Sequence, residues 1–269
     1  LIEIVAETAS TNSTLLARSG QSEGDWLIAD RQTAGRGRAG RVWNDGLGNF
    51  MGSTVARLRP GDPPAATLAL VAGVALHRAL EAILPPSPSG EGPGEGPLNR
   101  AQSVGTGPTP TPPLKGRGFS AAAPLLLKWP NDVMADGAKL AGILLERQGD
   151  AVVVGIGVNL ASAPHMPDRP TVALAQLGCP VARDGFAQVL AHEWQSALTL
   201  WHAQGWAALR EEWLARAHPR GTLLATHDRD AGLIIGAFAG LEPDGAALIR
   251  LADGTMRAIH AGDVDMVRD

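Results

Sequence analysis

The run Ala151–Leu160, AVVVGIGVNL, constrains the fold more than any other stretch of the chain. Rich in valine and free of charge, it reads as a buried strand, and its two glycines, Gly155 and Gly157, suit a backbone that another group approaches closely. A buried sheet needs helical cover. Leu68, Val71, Ala72, Ala75, Leu76, Ala79, Leu80 and Ile83 recur at helical spacing and predict an amphipathic helix with its apolar stripe toward a core. His77, beside Arg78 and Glu81, falls on the polar side of that helix and reads as solvated. Phe186, Val189, Leu190, Trp194, Ala197, Leu198 and Trp201 keep the same spacing, and Trp206, Leu209 and Trp213 continue it past Gly205. The four tryptophans of this stretch share one face and read as core rather than as a stacking platform. Trp26–Ala29, Phe50–Ala56 and Leu125–Trp129 read as further strands, the last ended by Pro130. Strands and helices interleave to about residue 215, which predicts a mixed α/β (α+β) domain around a sheet.

Two segments differ from this pattern. Residues 85–124 hold eighteen prolines and glycines in forty positions, too little apolar surface to offset ordering entropy, and predict a disordered insertion. Lys115, Gly116, Arg117 and Gly118 within it carry no assigned chemistry, since no strand precedes them and no helix follows. From Gly221 onward, short β-prone runs (Leu223–Thr226, Leu233–Phe238, Ala246–Leu251, Met256–His260) alternate with the turn dipeptides Asp244-Gly245 and Asp253-Gly254. They predict a separate, five-stranded C-terminal barrel, with a boundary near Pro219. The expected domains are therefore 1–219 and 220–269.

Composition narrows the function classes. A net charge of -4 gives no global nucleic-acid signature, and no apolar run approaches the roughly 18 residues of a membrane span. The single cysteine, Cys179, excludes an intrachain disulfide and a cysteine-built metal site, so a reducing cytoplasm is the expected compartment.

Three constellations carry chemistry. Gly35-Arg36-Gly37-Arg38-Ala39-Gly40-Arg41 satisfies G-x-G-x-x-G, yet the turn-rich residues after it would not open the helix that cradles a pyrophosphate. Its glycines let the backbone close over a ligand, and its arginines offer planar forks for phosphate or carboxylate. Closure would keep water off a reactive anhydride. The second is Lys128-Trp129-Pro130-Asn131-Asp132, followed by Lys139-Leu140-Ala141-Gly142-Ile143-Leu144-Leu145-Glu146. Here Asn131 and Asp132 sit at a strand edge, and Lys139 precedes a strand whose small residues leave room for substrate. A lysine beside apolar walls counters an anionic transition state. The third is Gly155-Ile156-Gly157-Val158-Asn159, where two glycines leave a groove for a slim apolar ligand. Alone, the arginine loop favours ligand closure over a solvated basic loop only modestly, the second segment is better explained by exposed lysines and a turn-forming Asn-Asp, and the glycine strand is explained equally well by buried packing.

Taken together and in order, with Glu7-Thr8-Ala9-Ser10-Thr11-Asn12 at the front, these segments resemble the biotin protein ligase family. Ser10–Asn12 resembles its S-T-N element, Gln32 with Gly35–Arg41 its adenylate loop, and the remaining pieces its K-W-P-N-D, K-L-A-G-I-L and G-I-G-x-N elements. The resemblance implies a class II synthetase-like catalytic domain with a central mixed sheet, and an SH3-like C-terminal β-barrel. It implies two steps: biotin attacks the α-phosphorus of Mg-ATP to give biotinyl-5′-AMP, and an acceptor lysine then displaces AMP. Lys139, Arg36 and Arg38 are the implied catalytic residues. Ser10, Thr11, Gln32, Gly35, Arg36, Lys139, Gly142, Gly155 and Gly157 are implied for biotin. Arg38, Arg41, Trp43, Asn131, Asp132 and Asn159 are implied for the nucleotide, with Mg²⁺ carried by ATP rather than by a protein site. The implied partner is a biotin carboxyl carrier protein or domain, and a homodimer is compatible with it. With the S-T-N element beginning at Ser10, no N-terminal DNA-binding domain and no sequence-specific DNA binding are expected. The alternatives are a dinucleotide-dependent oxidoreductase built on Gly35–Gly40, a non-enzymatic adaptor built on the C-terminal barrel, and ligation of lipoate or another small acid on the same fold.

Overall fold

The computed structural model describes residues 1–18, 20–43, 46–84, 124–167, 169–228, 232–260, 262 and 264–266. The predicted insertion, apart from Pro124, lies outside them. The main sheet contains β1 (Ile2–Thr8), β2 (Trp26–Gln32), β3 (Phe50–Arg57), β4 (Leu125–Lys128), β5 (Asp132–Ala135), β6 (Ala138–Gln148) and β7 (Ala151–Val158). Their spatial order is β1-β2-β3-β7-β6-β5-β4, with β1 and β2 parallel and every other neighbouring pair antiparallel. The sheet is therefore mixed, and the valine–glycine strand β7 lies at its centre, as its composition predicts. Lys139 lies inside β6 rather than ahead of it.

Burial alternates along β7 in two senses. Val152, Val154, Ile156 and Val158 join the large core under α2 (Thr67–Ile83), α3 (Arg183–Gln204) and α4 (Ala207–Arg216). Val153 instead packs with Leu15, Leu27 and Val55 beneath α1 (Thr11–Ala17). Gly155 and Gly157, two and four residues after Val153, share its face, so the glycines open the α1 side of the sheet and not the large core.

Two helix readings change. In α2 the predicted stripe is buried apart from the half-buried Ile83, and Leu70, Gly73, Val74 and His77 are buried as well, because α3 and α4 pack on this helix in addition to the sheet. His77 is 3% exposed, with Nε2 3.2 Å from the Leu125 carbonyl and Nδ1 3.3 Å from Glu81 Oε2, so it is not a solvated histidine. Burial lowers its pKa. The second helical stretch is two helices: Gly205, at φ +79°, ends α3, and α4 restarts after Trp206. Its four tryptophans, Trp194, Trp201, Trp206 and Trp213, are all buried core.

The C-terminal strands are β8 (Leu223–Asp228), β9 (Gly232–Leu241), β10 (Ala247–Arg250), β11 (Met256–Ile259) and β12 (Val264–Met266). They form an antiparallel sheet ordered β11-β10-β9-β8-β12. Among the described residues no ladder joins β11 to β12, so the sheet is open where a closed barrel was expected. The predicted turns are present: Asp244 Oδ1 accepts from Ala246 N at 3.0 Å, Asp253 Oδ1 accepts from Thr255 N at 2.8 Å, and the following glycines take φ +88° and +85°. Leu224, Phe238, Leu241, Ile249 and Val264 belong to the same buried cluster as the helices on the main sheet. The C-terminal sheet thus extends the main core. No helix among the described residues is long and apolar enough to cross a membrane.

Candidate active site

A cleft lies on the α1 side of the main sheet. Its floor is Gly142 and Gly155–Gly157. One end is the start of α1 with Gln32, and the other is the 128–132 hairpin with Lys139 and Asn159. The 36–43 loop, the 164–171 segment and Val264 of β12 complete the walls.

The α1 end is polar and internally connected. Ser10 caps α1 in extended conformation, its Oγ accepting from Ser13 N at 3.5 Å. Thr11 donates to Gln32 Oε1 through both its backbone N (2.7 Å) and its hydroxyl (3.1 Å). Ser53 Oγ, buried in β3, stands 2.6 Å from both Thr11 Oγ1 and Asn12 Oδ1. Asn12 Nδ2 donates to Glu146 Oε2 at 2.8 Å, and Glu146 Oε1 accepts from Arg36 Nη2 at 2.9 Å. Arg36 Nη2 also reaches Ser13 Oγ at 2.6 Å. One chain of hydrogen bonds therefore runs from Gln32 to the arginine loop.

The glycines make room for two particular side chains. A Cβ on Gly155 would stand 2.2 Å from Asn12 Oδ1, and one on Gly157 would stand 2.4 Å from the Trp43 indole. On Gly142 it would meet Lys139 Nζ at 3.0 Å and Trp43 Cζ3 at 3.2 Å. The predicted groove exists, with Trp43 lying over it. The loop that delivers Trp43 is a closed turn: Arg36 bridges Val42, Gly37 N donates to Arg41 O at 2.7 Å, and Trp43 N donates to Gly35 O at 2.9 Å. Among the described residues no α-helix follows it before β3, which argues against the dinucleotide-loop alternative.

The hairpin end is charged. Lys139 Nζ stands 2.6 Å from Asp132 Oδ1 and 5.9 Å from the Trp43 ring centroid. The side chains of this pair are 17% and 12% exposed, so each holds its partner with little water between. The Lys139 backbone is fixed by a parallel bridge to Thr171 and by Asn159, whose Nδ2 donates to the carbonyls of Val172 (3.2 Å) and Lys139 (3.5 Å). Asn131 Nδ2 donates to Ile143 O at 2.6 Å, while its Oδ1 accepts from Arg38 Nη1 at 3.3 Å. Arg38 also donates to the Gly262 carbonyl at 2.9 Å. Burial lowers the Arg38 pKa, Asp132's negative charge opposes that shift, and Arg41's positive charge adds to it. Arg38, Arg41 and Asp132 thus share one field.

Sequence reasoning brought nearly all its candidates to this cleft. Gly35 is the departure: it does not line the cleft, and a Cβ there would meet Trp43 O at 2.7 Å and Gln32 Nε2 at 3.3 Å. Its smallness lets the loop return onto Gln32. Asn12 and Glu146 stand inside the motif segments without an assigned role, and Ser53 lies outside them. Nothing marks Ser53 in an apolar strand, and Asn12 and Glu146 gain meaning only once 134 residues of separation close to 2.8 Å. Pro164, Met166, Arg169 and Thr171 sit in an aperiodic stretch with no readable signal.

Residues 2–160 match the model of the biotin/lipoate A/B protein ligase family, and residues 229–267 match that of the biotin protein ligase C terminal domain. The chain is 35% identical over 263 residues to the biotin–[acetyl-CoA-carboxylase] ligase of Paracoccus denitrificans, covering 92% of this chain and 93% of that protein. It is 29% identical to the bifunctional ligase/repressor BirA of Escherichia coli, covering 96% of this chain and 71% of that one. Among solved structures it is similar to a biotin protein ligase from Aquifex aeolicus in complex with biotin and ATP, with a TM-score of 0.76, 25% identity, and coverage of 100% and 99% of the two chains.

Proposed function

The chain belongs to the biotin/lipoate A/B protein ligase family, and on that footing we propose that it activates biotin with ATP and transfers it to a lysine of a carrier protein. The observation that carries this reading is Lys139, held by Asp132 at the edge of a glycine floor, beside Trp43 and in one cleft with Arg36, Arg38 and Arg41. Ser10, Thr11 and Gln32 take the polar end of biotin, while Gly142, Gly155 and Gly157 receive its slim apolar body beside Trp43. In adenylation a biotin carboxylate oxygen attacks the α-phosphorus and pyrophosphate leaves. Lys139 counters the charge that accumulates on the α-phosphate and carboxylate oxygens, then supports departure of AMP when the acceptor amine attacks the carbonyl carbon. Arg36 joins that anion only by exchanging its bonds to Glu146 and Ser13. Arg38 and Arg41 face the phosphates, with Trp43, Asn131, Asp132 and Asn159 on the nucleotide side. Asn159's amide nitrogen is held by backbone carbonyls, which leaves its Oδ1 as the acceptor.

The donor set suits Mg²⁺ brought in by the triphosphate, which favours phosphate oxygens and water over a protein cage. Asp132, the carboxylate on the cleft wall, is the residue that would face such a metal. The metal supplies charge neutralisation between the phosphates. The carrier in this reading is the biotin carboxyl carrier domain of a carboxylase, following the relatives' names, and the compartment is the cytoplasm. The domains in this reading are 1–219, of class II synthetase-like architecture, and 220–269, SH3-like in its five short strands and tight turns.

Isothermal titration with biotin, then with biotin and Mg-ATP while following pyrophosphate release, tests the reading. Biotin binding with ATP-dependent pyrophosphate formation supports it, and turnover of lipoate alone overturns the substrate. Lys139→Ala is expected to lose roughly 10²–10³ in adenylation rate while folding normally. Near-wild-type adenylate formation by that variant removes Lys139 from its role.

A further inference from the structure

The structure assigns Trp129 as a positioning residue for the nucleotide side of the site: it ties the 128–132 hairpin to the C-terminal sheet, which thereby sets where Asn131 and Asp132 stand. The inference rests on the ligase reading above. Trp129 is 3% exposed, and its Nε1 donates to the carbonyl of Gly245, in the β9–β10 turn, at 2.9 Å. This contact links residues far apart in the chain, in turns that belong to different sheets.

Both ends of the link are rigid. Gly245 has φ +88°, its N donates to Glu242 O at 3.0 Å, and a Cβ added to it would meet Leu70 Cδ1 at 3.0 Å and Thr67 Cγ2 at 3.2 Å. The turn is therefore wedged on the first turn of α2. At the other end, Asn131 exchanges two hydrogen bonds with Ile143 of β6, its carbonyl accepting from Ile143 N at 2.9 Å and its Nδ2 donating to Ile143 O at 2.6 Å. Asn131 also accepts from Arg38, and Asp132 holds Lys139. A shift of Trp129 propagates to Asn131 and Asp132, two and three residues on, and through them to Arg38 and Lys139. Phenylalanine in its place fills the ring volume but leaves the Gly245 carbonyl buried without its donor, which favours movement of the turn or the hairpin.

Trp129→Phe in the full chain tests this. The expected result is a fall of about tenfold in kcat/KM for ATP, the order of one lost buried hydrogen bond, with biotin affinity by calorimetry unchanged. Biotin affinity serves as the internal comparison because Thr11, Gln32 and Gly155 lie at the opposite end of the cleft. Leu190→Val, in the α3 core, provides a variant with lowered Tm whose ATP kinetics are expected to stay at wild type. If Trp129→Phe does not fold, Gly245→Ala decides: it presses the turn off Leu70 and Thr67 while retaining the indole, and the same selective loss for ATP is expected. Unchanged ATP kinetics in the folded variant, or equal losses for ATP and biotin, overturn the positioning role. Absence of biotin-dependent pyrophosphate release from the unaltered protein overturns the ligase reading instead.

Discussion

Acidification should weaken this protein through one histidine at the junction of its two sheets. His218 is 2% exposed, stacks edge-on against Phe238 at 4.3 Å, and has no hydrogen-bond partner for either ring nitrogen among the described residues. Burial pushes its pKa down from a histidine's usual 6.5 to about 4; the nearby Pro219 backbone opposes this slightly, and Lys128's charge adds to it. The native ring stays neutral while the unfolded ring takes up a proton, so the unfolded state binds more protons between those two values. Stability is then full above about 6.5 and falls as pH drops toward 4. At about 1.4 kcal/mol per pH unit the complete loss is ~3 kcal/mol, a large fraction of the stability of a typical domain. His218→Leu removes the titration and replaces an unpartnered polar ring by an apolar group, a change expected to be neutral or stabilising at pH 7. Urea unfolding from pH 7 to 4.5, on both proteins, reads the difference. The variant should gain about 2 kcal/mol over the unaltered chain across that range. Parallel profiles, or a His218 ring resonance titrating near 6.5, refute the argument. The buried His77, whose pKa is also lowered, contributes in the same sense to both profiles and cancels in their difference.

Two further outcomes concern the cleft. Gly157→Ala puts a methyl where the Trp43 indole lies, at 2.4 Å, and should weaken biotin binding about tenfold or more with a smaller effect on the rate at saturation. Calorimetric affinity equal to the unaltered protein's would place biotin elsewhere. Glu146→Gln removes the charge that holds Arg36 at 2.9 Å. Because Arg36 is 46% exposed, stability should change by under about 1 kcal/mol, while the Asn12–Arg36 connection loosens and the KM for biotin rises several-fold. A denaturation shift larger than that, with unchanged KM, would make Glu146 a structural residue only.

What the sequence disclosed follows from the range of each signal. The β7 run, the α2 stripe and the C-terminal turns are local: periodicity and turn chemistry within about ten residues determine them, and they stand where predicted. The motifs likewise fell in one cleft, because each carries its residues at short spacing. Properties that need a distant neighbour were not legible. His77 sits on the polar side of its own helix, and its burial comes from contacts distant in the chain such as the Leu125 carbonyl of β4. Gly205 keeps the period of α3 in sequence but takes a positive φ that ends the helix. Gly35 belongs to the right loop, yet its contact with Gln32 and not with the cleft depends on how the loop returns. The opening between β11 and β12 is a matter of ladder closure, which no strand pattern encodes.

The cleft takes one wall from Ser10 and another from Val264, with the Gly262 carbonyl holding Arg38. That far wall is held by the pairing of β12 with β8, so the water-tightness of the cleft depends on the C-terminal sheet staying folded. Local opening of β12 would admit water to a bound adenylate without disturbing the glycine floor or Lys139.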